Sequence, residues 1–275
     1  MKRLEDQTIL VTGATDGIGK GTAAELARRG AFVLLHGRDA GRLAQTQRDI
    51  AKETGNPQIG SYQADFASLA DVRALAGAVE REHDRLDVLI NNAGIGRGRR
   101  GEQHREESAD GFELRFQVNH LAPFLLTHLL LPLLRAAAPA RIVNVASAGQ
   151  TPIDFDDVML ERDYDGTRAY CQSKLAMVMA TFDLAERLDP GQITVNALHP
   201  GTLLDTKMVR EAWGGAQGPV ETGIDSEVHL AAAPELDGIS GQYFHEKRRS
   251  RADSQAYDEQ ARRRLVALSE RLIGL

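Results

Sequence analysis

Tyr170 and Lys174, four positions apart, form the pair whose spacing in this chain most directly suggests chemistry. On a helix, residues i and i+4 share one face, so the ammonium of Lys174 would stand one turn from the phenol of Tyr170. A nearby cation lowers the pKa of a phenol, which is about 10 in a free side chain. A tyrosine tuned in this way can exchange a proton with a carbonyl or alcohol oxygen. The same spacing also fits a half-buried tyrosine beside a solvated lysine, so the rest of the chain must decide between the two.

Composition and charge narrow the class of protein. The 275 residues are 42% hydrophobic and 26% charged, with a formal net charge of −6. These values fit a folded soluble protein with one large α/β domain or two small ones. They argue against a general nucleic-acid-binding protein, so we expect no nucleic-acid partner. Two basic clusters are expected to be solvated loop charge rather than polyanion sites. They are Arg97, Arg99 and Arg100, and Lys247, Arg248, Arg249 and Arg251.

Cysteine content and apolar stretches bear on compartment. The single cysteine, Cys171, permits no intrachain disulfide, and we expect it to be a packing residue because no base is placed to activate it. The N-terminus lacks the apolar core of a signal peptide. The longest apolar stretch, Leu121–Leu134, contains two prolines and is too short to cross a bilayer. We therefore expect a cytoplasmic protein without a membrane anchor, and we expect no metal site.

Short aliphatic runs alternate along the chain with longer segments of helical periodicity. This alternation predicts an α/β fold, a doubly wound parallel sheet with helices on both faces, in one domain over residues 1–275. The predicted strands are Thr8–Thr12, Ala31–His36, Gln58–Gln63, Val88–Asn91, Arg141–Ala146 and Ile193–Leu198, with a seventh at Gly241–Phe244. The predicted helices are Ile18–Arg29, Ala40–Glu53, Leu69–His83, Phe112–Leu134 and Arg168–Leu188, with Asp39 and Ser68 as N-caps.

Two segments interrupt the alternation, Ile153–Thr167 and Thr202–Gly223. The first is acidic and irregular, and the second is rich in glycine and is expected to be mobile. Both follow the carboxyl ends of predicted strands, where a doubly wound sheet binds its ligands. We expect residues near 151–167 and 202–223 to cover the substrate.

A glycine-rich turn follows the first predicted strand and precedes a helix, with Gly13, Gly17 and Gly19 in the spacing Gly-x3-Gly-x-Gly. Glycines let the backbone turn sharply and approach a ligand, and the helix N-terminus offers N–H groups and partial positive charge to a pyrophosphate. The position between strand and helix favours a dinucleotide site. A glycine-rich turn without a ligand is the alternative.

The end of the second predicted strand bears on the choice of cofactor. An NAD site usually has an acidic residue at this position, but this strand ends in His36-Gly37-Arg38. Arg38 could pair with the 2′-phosphate of NADP through a charge-assisted contact. We therefore expect NADP(H) rather than NAD(H), with a plain surface arginine as the alternative.

These motifs together resemble the short-chain dehydrogenase/reductase family. In the family's order, Asn91-Asn92-Ala93-Gly94 follows the fourth strand, Asn119 lies in the next helix, Ser147 follows the fifth strand and Pro200-Gly201 follows the sixth. The resemblance implies a Rossmann fold of about seven strands in the order 3-2-1-4-5-6-7. The sequence around Asn119, the sequence from Tyr170 to Ala176 and the C-terminal tail most resemble the retinol dehydrogenase-like branch.

The resemblance also implies a role for each residue. The implied catalytic residues are Asn119, Ser147, Tyr170 and Lys174: Tyr170 as general acid/base, Lys174 to lower its pKa and hold the nicotinamide ribose, Ser147 to bind the substrate oxygen, and Asn119 to hold a water that links Lys174 to solvent. The implied cofactor-binding residues are Gly13, Thr15, Asp16, Gly17, Ile18, Gly19, Arg38, Asp65, Phe66, Asn92, Ala93, Gly94, Tyr170, Lys174, Pro200, Gly201 and Thr202.

Several of these roles have structural alternatives. Asn119 could be a polar residue that competes with helical bonding, Ser147 a turn residue, and Asp65 a helix-entry residue. Thr206 competes with Thr202 for the carboxamide contact. Ser147 and Tyr170 are 23 positions apart, farther than in most family members, which matches the insert at Ile153–Thr167.

The leading hypothesis is an oxidoreductase that transfers a hydride between NADP(H) and a small carbonyl or alcohol substrate. A catalytically silent nucleotide-binding sensor or scaffold of the same fold is the alternative, and the presence of all four implied catalytic residues favours the enzyme. Family members commonly pair through the two long apolar helices, so we expect a homodimer or homotetramer.

Overall fold

The computed structural model describes residues 2–98 and 104–275. Within these residues eight strands form one sheet, in the order β3-β2-β1-β4-β5-β6-β7-β8. Neighbours from β3 to β7 pair in parallel, and β7 pairs with β8 antiparallel. The strands are β1 (Thr8–Val11), β2 (Phe32–Gly37), β3 (Ile59–Gln63), β4 (Val88–Asn91), β5 (Ala140–Val145), β6 (Ile193–His199), β7 (Tyr243–His245) and β8 (Arg248–Ser250).

The doubly wound parallel sheet is confirmed, and each predicted strand lies within two residues of its observed bounds. Strand β8 was not predicted. It follows β7 through the two-residue turn Glu246-Lys247, in which Glu246 has a left-handed φ of 56°. Tight hairpins usually place Gly, Asn or Asp at such a position, so this turn gives no signal in the sequence.

The basic clusters differ from their predictions. Arg248 and Arg249 are exposed as expected, but they lie on β8 and not in a loop. Arg97 is half-buried, and a guanidinium N–H donates to the carbonyl of Ala212 at 2.6 Å, so its charge is not simply solvated. Arg99 and Arg100 lie outside the described residues.

Helices cover both faces of the sheet. They are α1 (Gly17–Arg28), α2 (Ala40–Thr54), α3 (Leu69–Glu82), α4 (Leu114–Phe116), α5 (Ala122–Ala137), α6 (Gly166–Arg187), α7 (Lys207–Trp213), α8 (Val220–Ala232) and α9 (Glu259–Ile273). Asp39 and Ser68 cap α2 and α3 as predicted, because their side chains accept from the N–H groups of Arg42 and Asp71. The segment Thr202–Gly223 contains α7 and the start of α8, and its mobility stays a prediction. The amphipathic α9 was not predicted as an element.

The predicted helix Phe112–Leu134 is interrupted by a π-helical turn at Gln117–Leu121, between α4 and α5. Pro123 has no N–H with which to bond the carbonyl of Asn119 four residues earlier. The N–H of Ala122 donates instead to the carbonyl of Gln117, five residues back. Such wide turns often occur at functional sites. Here it carries Asn119.

The stretch Leu114–Ala137, which includes α4, the π turn and α5, spans 24 residues, and its most apolar window of 18 residues has a mean hydropathy of 1.3. By length and composition it could cross a membrane. However, 67% of its most apolar window is buried inside the protein. Its apolar residues therefore face the core of the fold.

The hydrophobic core has two layers, one on each face of the sheet. In β1, Leu10 belongs to the layer under α3, α5, α6 and α9, whereas Ile9 and Val11 belong to the layer under α1, α2 and α8. This alternation follows the two-residue period of a strand. On the first face, α9 packs against α6 through Leu265 and Val266, which are buried. Self-association through α5 and α6 stays a prediction.

Candidate active site

Most of the predicted site residues follow the carboxyl ends of parallel strands, at one edge of the sheet, and Asn119, Tyr170 and Lys174 approach from helical segments. This is the edge at which open α/β sheets bind their ligands. The segments that meet there follow β1 (12–19), β2 (37–38), β3 (64–66), β4 (92–98), β5 (146–150) and β6 (200–206).

The glycine turn after β1 packs directly against the segment after β4. A Cβ on Gly19 would lie 2.2 Å from Nδ2 of Asn92, and a Cβ on Gly13 would lie 2.8 Å from Cα of Ala93. The Asn92 amide donates to the carbonyl of Thr12 at 2.7 Å. Gly13 also has a left-handed φ of 67°. These glycines are therefore required by the packing of the turn as well as by any ligand.

Other residues of the turn shape the start of α1. Asp16 caps the helix, since its carboxylate accepts from the N–H of Gly17 at 2.8 Å. Gly17 is left-handed (φ 52°), and a Cβ there would touch the methyl of Thr206 at 3.4 Å. The next N–H groups, those of Ile18 and Gly19, belong to the first turn of a helix, which has no intrahelical acceptor for them. This turn can hold an anion.

His36 joins the first three strands and was not predicted to have a role. Its Nδ1 accepts from the N–H of Gly13 at 3.2 Å, so its Nε2–H donates to the carbonyl of Ala64 at 3.1 Å. Burial lowers the pKa of His36 to about 4. The neutral ring stacks on Phe66 with centroids 4.3 Å apart. The buried Phe66 ring thus packs on His36. Through this contact, His36 fixes the turn after β3 against the glycine turn.

Arg38 and Asp65 lie beside this unit. Arg38 is exposed at the end of β2, and within the described chain its guanidinium has no carboxylate partner. Asp65 is half-buried, and its Oδ1 accepts from the N–H of Ala67 at 2.9 Å. The helix-entry alternative for Asp65 is therefore seen in the structure, alongside a position that remains open to a ligand.

Tyr170 and Ser147 lie side by side at this edge of the sheet. Tyr170 lies in the second turn of α6, and a Cβ on Gly149 would lie 3.9 Å from Cε1 of Tyr170 and 3.5 Å from Oγ of Ser147. The Ser147 hydroxyl accepts from the N–H of Gly149 at 3.0 Å. The carbonyl of Ser147 accepts from the Tyr243 hydroxyl at 2.9 Å and from the Gln150 amide at 2.8 Å. The serine is therefore fixed from several sides before any substrate binds.

The expectation that Lys174 lowers the pKa of Tyr170 is not what the structure shows. Burial raises the pKa of Tyr170, and the nearby Ser147 hydroxyl opposes this only in part. The Lys174 ammonium lies 6.0 Å from the centre of the Tyr170 ring and donates to the carbonyl of Val145 at 2.8 Å. Burial also lowers the pKa of Lys174 to about 8. The shared helix face is confirmed, but the cation binds the end of β5 and not the phenol.

Asn119 is completely buried beside Lys174. Its Oδ1 accepts from the N–H of Ile95 at 2.8 Å, and its amide donates to the carbonyl of Ile95 and to the Ser173 hydroxyl. A Cβ on Gly94 would lie 3.1 Å from Oδ1 of Asn119 and 3.3 Å from Nζ of Lys174. Only glycine leaves the space between these two polar atoms open.

The segment after β6 closes the site. Pro200 and Gly201 follow the strand, and Thr202 shares a hydrogen bond of 3.1 Å with Nε2 of His199. The Thr206 hydroxyl is used as the N-cap of α7. Both candidate threonines thus have local partners, and Thr206 lies nearer the glycine turn through its contact at Gly17.

Glu227 is a buried acid near the site that sequence reasoning missed. It lies on α8 with no exposed surface, and its Oε2 accepts from the Thr22 hydroxyl of α1 at 2.8 Å. Its Oε1 has no hydrogen-bond partner in the described structure. Burial raises the pKa of Glu227 to about 8, an effect opposed by Thr22 and by the charge of Lys174. Its neighbours along the helix include Asp225, Ser226 and His229, so no local pattern in the sequence indicates its burial.

Two further sequence-based expectations concern the Cys171 thiol and metal binding. Burial raises the pKa of the Cys171 thiol, which keeps it in its unreactive form and agrees with a packing role. Among the residues that the structure describes, no group of three His, Cys, Asp or Glu side chains could hold a metal ion.

A Rossmann-type sheet with a Ser–Tyr–Lys site defines a class of dehydrogenase, and comparison with known proteins agrees. Residues 7–216 match the family model described as short chain dehydrogenase. Retinol dehydrogenase 13 of Homo sapiens is 42% identical, over 98% of this chain and 85% of its own length. The chain therefore belongs to the short-chain dehydrogenase family, in its retinol dehydrogenase-like branch.

Two solved structures show the same fold with a nicotinamide cofactor. The Pseudomonas aeruginosa RhlG/NADP active-site complex is 28% identical, with a TM-score of 0.69 over 89% of this chain and 97% of that one. The 3-ketoacyl-(acyl-carrier-protein) reductase from Brucella melitensis complexed with NADH is 26% identical, with a TM-score of 0.71 over 88% and 97%. The family fold thus accommodates either cofactor.

Proposed function

We propose that this oxidoreductase transfers a hydride between NADP(H) and a carbonyl or alcohol substrate, with Tyr170 as the general acid/base. The observation that supports this most is the closeness of the Ser147 and Tyr170 side chains, with Lys174 one helical turn away, at the sheet edge that also holds the glycine turn. The family shows chemistry on alcohol or carbonyl groups. The roles of individual residues are proposed from their positions and contacts in the site.

Tyr170 is suited to donate a proton in the direction of carbonyl reduction. Its raised pKa keeps the phenol protonated at neutral pH. As a carbonyl is reduced, negative charge develops on its oxygen, and two hydroxyl groups that point at that oxygen stabilise the charge. Ser147, fixed by its own hydrogen bonds, is the second hydroxyl. In the direction of alcohol oxidation, Tyr170 must first lose its proton.

Lys174 and Asn119 would act behind Tyr170. The space that a Cβ on Gly94 would fill lies between their polar atoms and fits the ribose next to a nicotinamide. There the Lys174 ammonium would hold ribose hydroxyls, and a water on Asn119 would connect Lys174 to solvent. When bound, the cofactor supplies or accepts the hydride, and the protein supplies position and electrostatics.

The preference for NADP(H) is supported by Arg38. The Arg38 guanidinium, at the end of β2, has no acidic partner among the described residues and can pair with the 2′-phosphate of NADP. NAD has no such phosphate for it to pair with. First-turn N–H groups of α1 would hold the pyrophosphate, and Asp65, Asn92, Ala93 and Gly94 would line the adenosine and ribose. Residues after Pro200 would hold the carboxamide.

Turnover tests the catalytic assignment. The purified protein is assayed with NADPH or NADP⁺ against panels of aldehydes, ketones and alcohols, with retinol included because of the named relative. Turnover with at least one substrate, lost in Tyr170→Phe, is expected. Cofactor binding without turnover on any substrate would support the silent sensor or scaffold instead.

A separate experiment tests the cofactor. We expect Arg38→Ala to reduce kcat/KM with NADPH by about tenfold or more and to leave kcat/KM with NADH within about twofold, since a lost charge-assisted contact weakens binding of the phosphate alone. Arg48→Ala, an exposed arginine on α2, is the control and is expected to change neither. An NADH preference in the wild-type protein, unchanged in Arg38→Ala, would contradict the assignment.

A further inference from the structure

The end of α7 lies directly against the catalytic tyrosine. Trp213 is the last residue of α7, and its ring meets the ring of Tyr170 edge to face, with centroids 6.5 Å apart and planes at 74°. Trp213 is half-buried and is the only tryptophan in the chain. The indole therefore forms one wall of the space from which a substrate reaches the Tyr170 ring.

Arg97 holds this end of α7 by two contacts. Its guanidinium carbon lies 4.7 Å from the centre of the Trp213 ring, within the range of a cation–π interaction. A guanidinium N–H donates to the carbonyl of Ala212 at 2.6 Å. Carbonyls at a helix C-terminus lack intrahelical donors, so this bond caps α7 as well as fixing its distance from Arg97.

The segment that carries Arg97 is itself anchored. The carbonyl of Gly96 accepts from Nε of Arg115 at 3.0 Å, and the buried Arg115 also donates to the Tyr164 hydroxyl at 2.8 Å. On the other side, a Cβ on Gly96 would lie 2.9 Å from Cγ of Met208, near the start of α7. The segment Gly96–Arg97 thus contacts α7 near both of its ends, on a fixed base.

The contact between Arg97 and α7 leaves one hydrogen-bond donor of Arg97 without an acceptor in the described residues. Nε of Arg97 is buried and has no hydrogen-bond partner among the described residues. A buried donor without an acceptor offsets part of what the other two contacts contribute. The position of this end of α7 relative to Arg97 therefore depends on the contact with the Trp213 ring and on the bond to Ala212.

We propose that Arg97 is a positioning residue that holds the Trp213 indole and the end of α7 against Tyr170, so that the indole forms a fixed wall beside the bound substrate. The proposal rests on the proposed role of Tyr170 in the same site. It assigns to Arg97 and Trp213 control over which carbonyl or alcohol compounds reach the phenol and how long they stay.

The single tryptophan allows a direct test. In Arg97→Ala, acrylamide quenching of Trp213 fluorescence is expected to increase about twofold or more, because the indole loses its cover. KM is expected to rise about tenfold, while single-turnover hydride transfer at saturating substrate stays within about threefold. Arg97→Lys, which retains the charge over the ring but not the forked donor, is expected to recover part of both effects. Arg48→Ala, an exposed arginine on α2, is the control.

The outcomes separate this proposal from the proposed function. Quenching in Arg97→Ala equal to that of the wild-type protein would overturn the proposal, and so would increased quenching with unchanged KM. Circular dichroism spectra of both Arg97 variants verify folding. Tyr170→Phe is expected to lose turnover while Trp213 quenching changes little. Retained turnover in Tyr170→Phe would contradict the proposed catalytic role and leave the Arg97–Trp213 contact to be judged by quenching alone.

Discussion

As pH rises, the stability advantage of the Glu227→Gln variant over the wild-type protein should grow. The carboxyl is fully buried with one oxygen unpaired, and its pKa is raised from an ordinary value of 4.5 to about 8. Between these two values the folded protein holds one proton that the unfolded chain has released. The contribution of Glu227 to the free energy of unfolding therefore falls with pH, at roughly 1.4 kcal/mol per pH unit. The glutamine side chain cannot ionise, so the Glu227→Gln variant lacks this slope.

The size of this stability difference follows from the pH range between the two pKa values of Glu227. From about pH 5 to about pH 7.5, the difference in unfolding free energy between Glu227→Gln and wild type should grow by about 3 kcal/mol in favour of the variant. A changed hydrogen bond to Thr22 adds only a constant offset. Lys174, with its pKa lowered to about 8, affects stability mainly above this window. Buried histidines titrate alike in both proteins and cancel in the difference.

Urea denaturation at four pH values and constant ionic strength measures this difference. Glu221→Gln is the matched control, because Glu221 lies exposed on the same helix α8. We expect its difference from wild type to stay within about 0.5 kcal/mol at every pH, as for most surface substitutions. A Glu227→Gln difference that is also constant with pH would refute the assignment of a neutral, buried acid.

Three further predictions follow from packing and charge. Gly94→Ala should lower kcat/KM by about tenfold or more with a small change in Tm, because its Cβ would crowd Asn119 and Lys174. Below about pH 6.5 the protein should lose stability as pH falls, because the unfolded chain takes up protons that the folded protein does not bind. Burial lowers the pKa of His36 to about 4 and of His120 to about 3. Denaturation at graded acid pH measures the slope. Leu265→Ala should cost about 2–5 kcal/mol of unfolding free energy, against a smaller loss for the half-buried Leu268→Ala.

Sequence periodicity predicted the elements that form the sheet and missed those at its margin. Strands β1, β2, β4, β5 and β6 are almost wholly buried because both faces of the sheet are covered, so their apolar runs predicted them well. Strand β8 is three exposed polar residues after a turn without glycine. Helix α7 is seven residues long and ends at Trp213-Gly214, within a glycine-rich segment whose composition favours a loop. Neither has a local signal strong enough to predict it.

At the site, the order of motifs identified the residues but not their contacts. Spacing placed Lys174 on the same helix face as Tyr170, yet the ammonium bonds Val145, and burial determines the direction of the pKa shift of the phenol. His36 and Glu227 depend on partners from other strands and helices, Gly13 and Thr22. Such contacts and desolvation come from the assembled fold and cannot be read from positions along the chain.

The most direct test of the central claim is NADPH oxidation by wild type and Tyr170→Phe on a shared carbonyl substrate. Phenylalanine keeps the ring contact with Trp213 and removes only the hydroxyl, so folding and cofactor binding should be retained. The account predicts a loss in kcat of about a hundredfold or more, the scale of general acid catalysis. A Tyr170→Phe protein that reduces the substrate at the wild-type rate would contradict it.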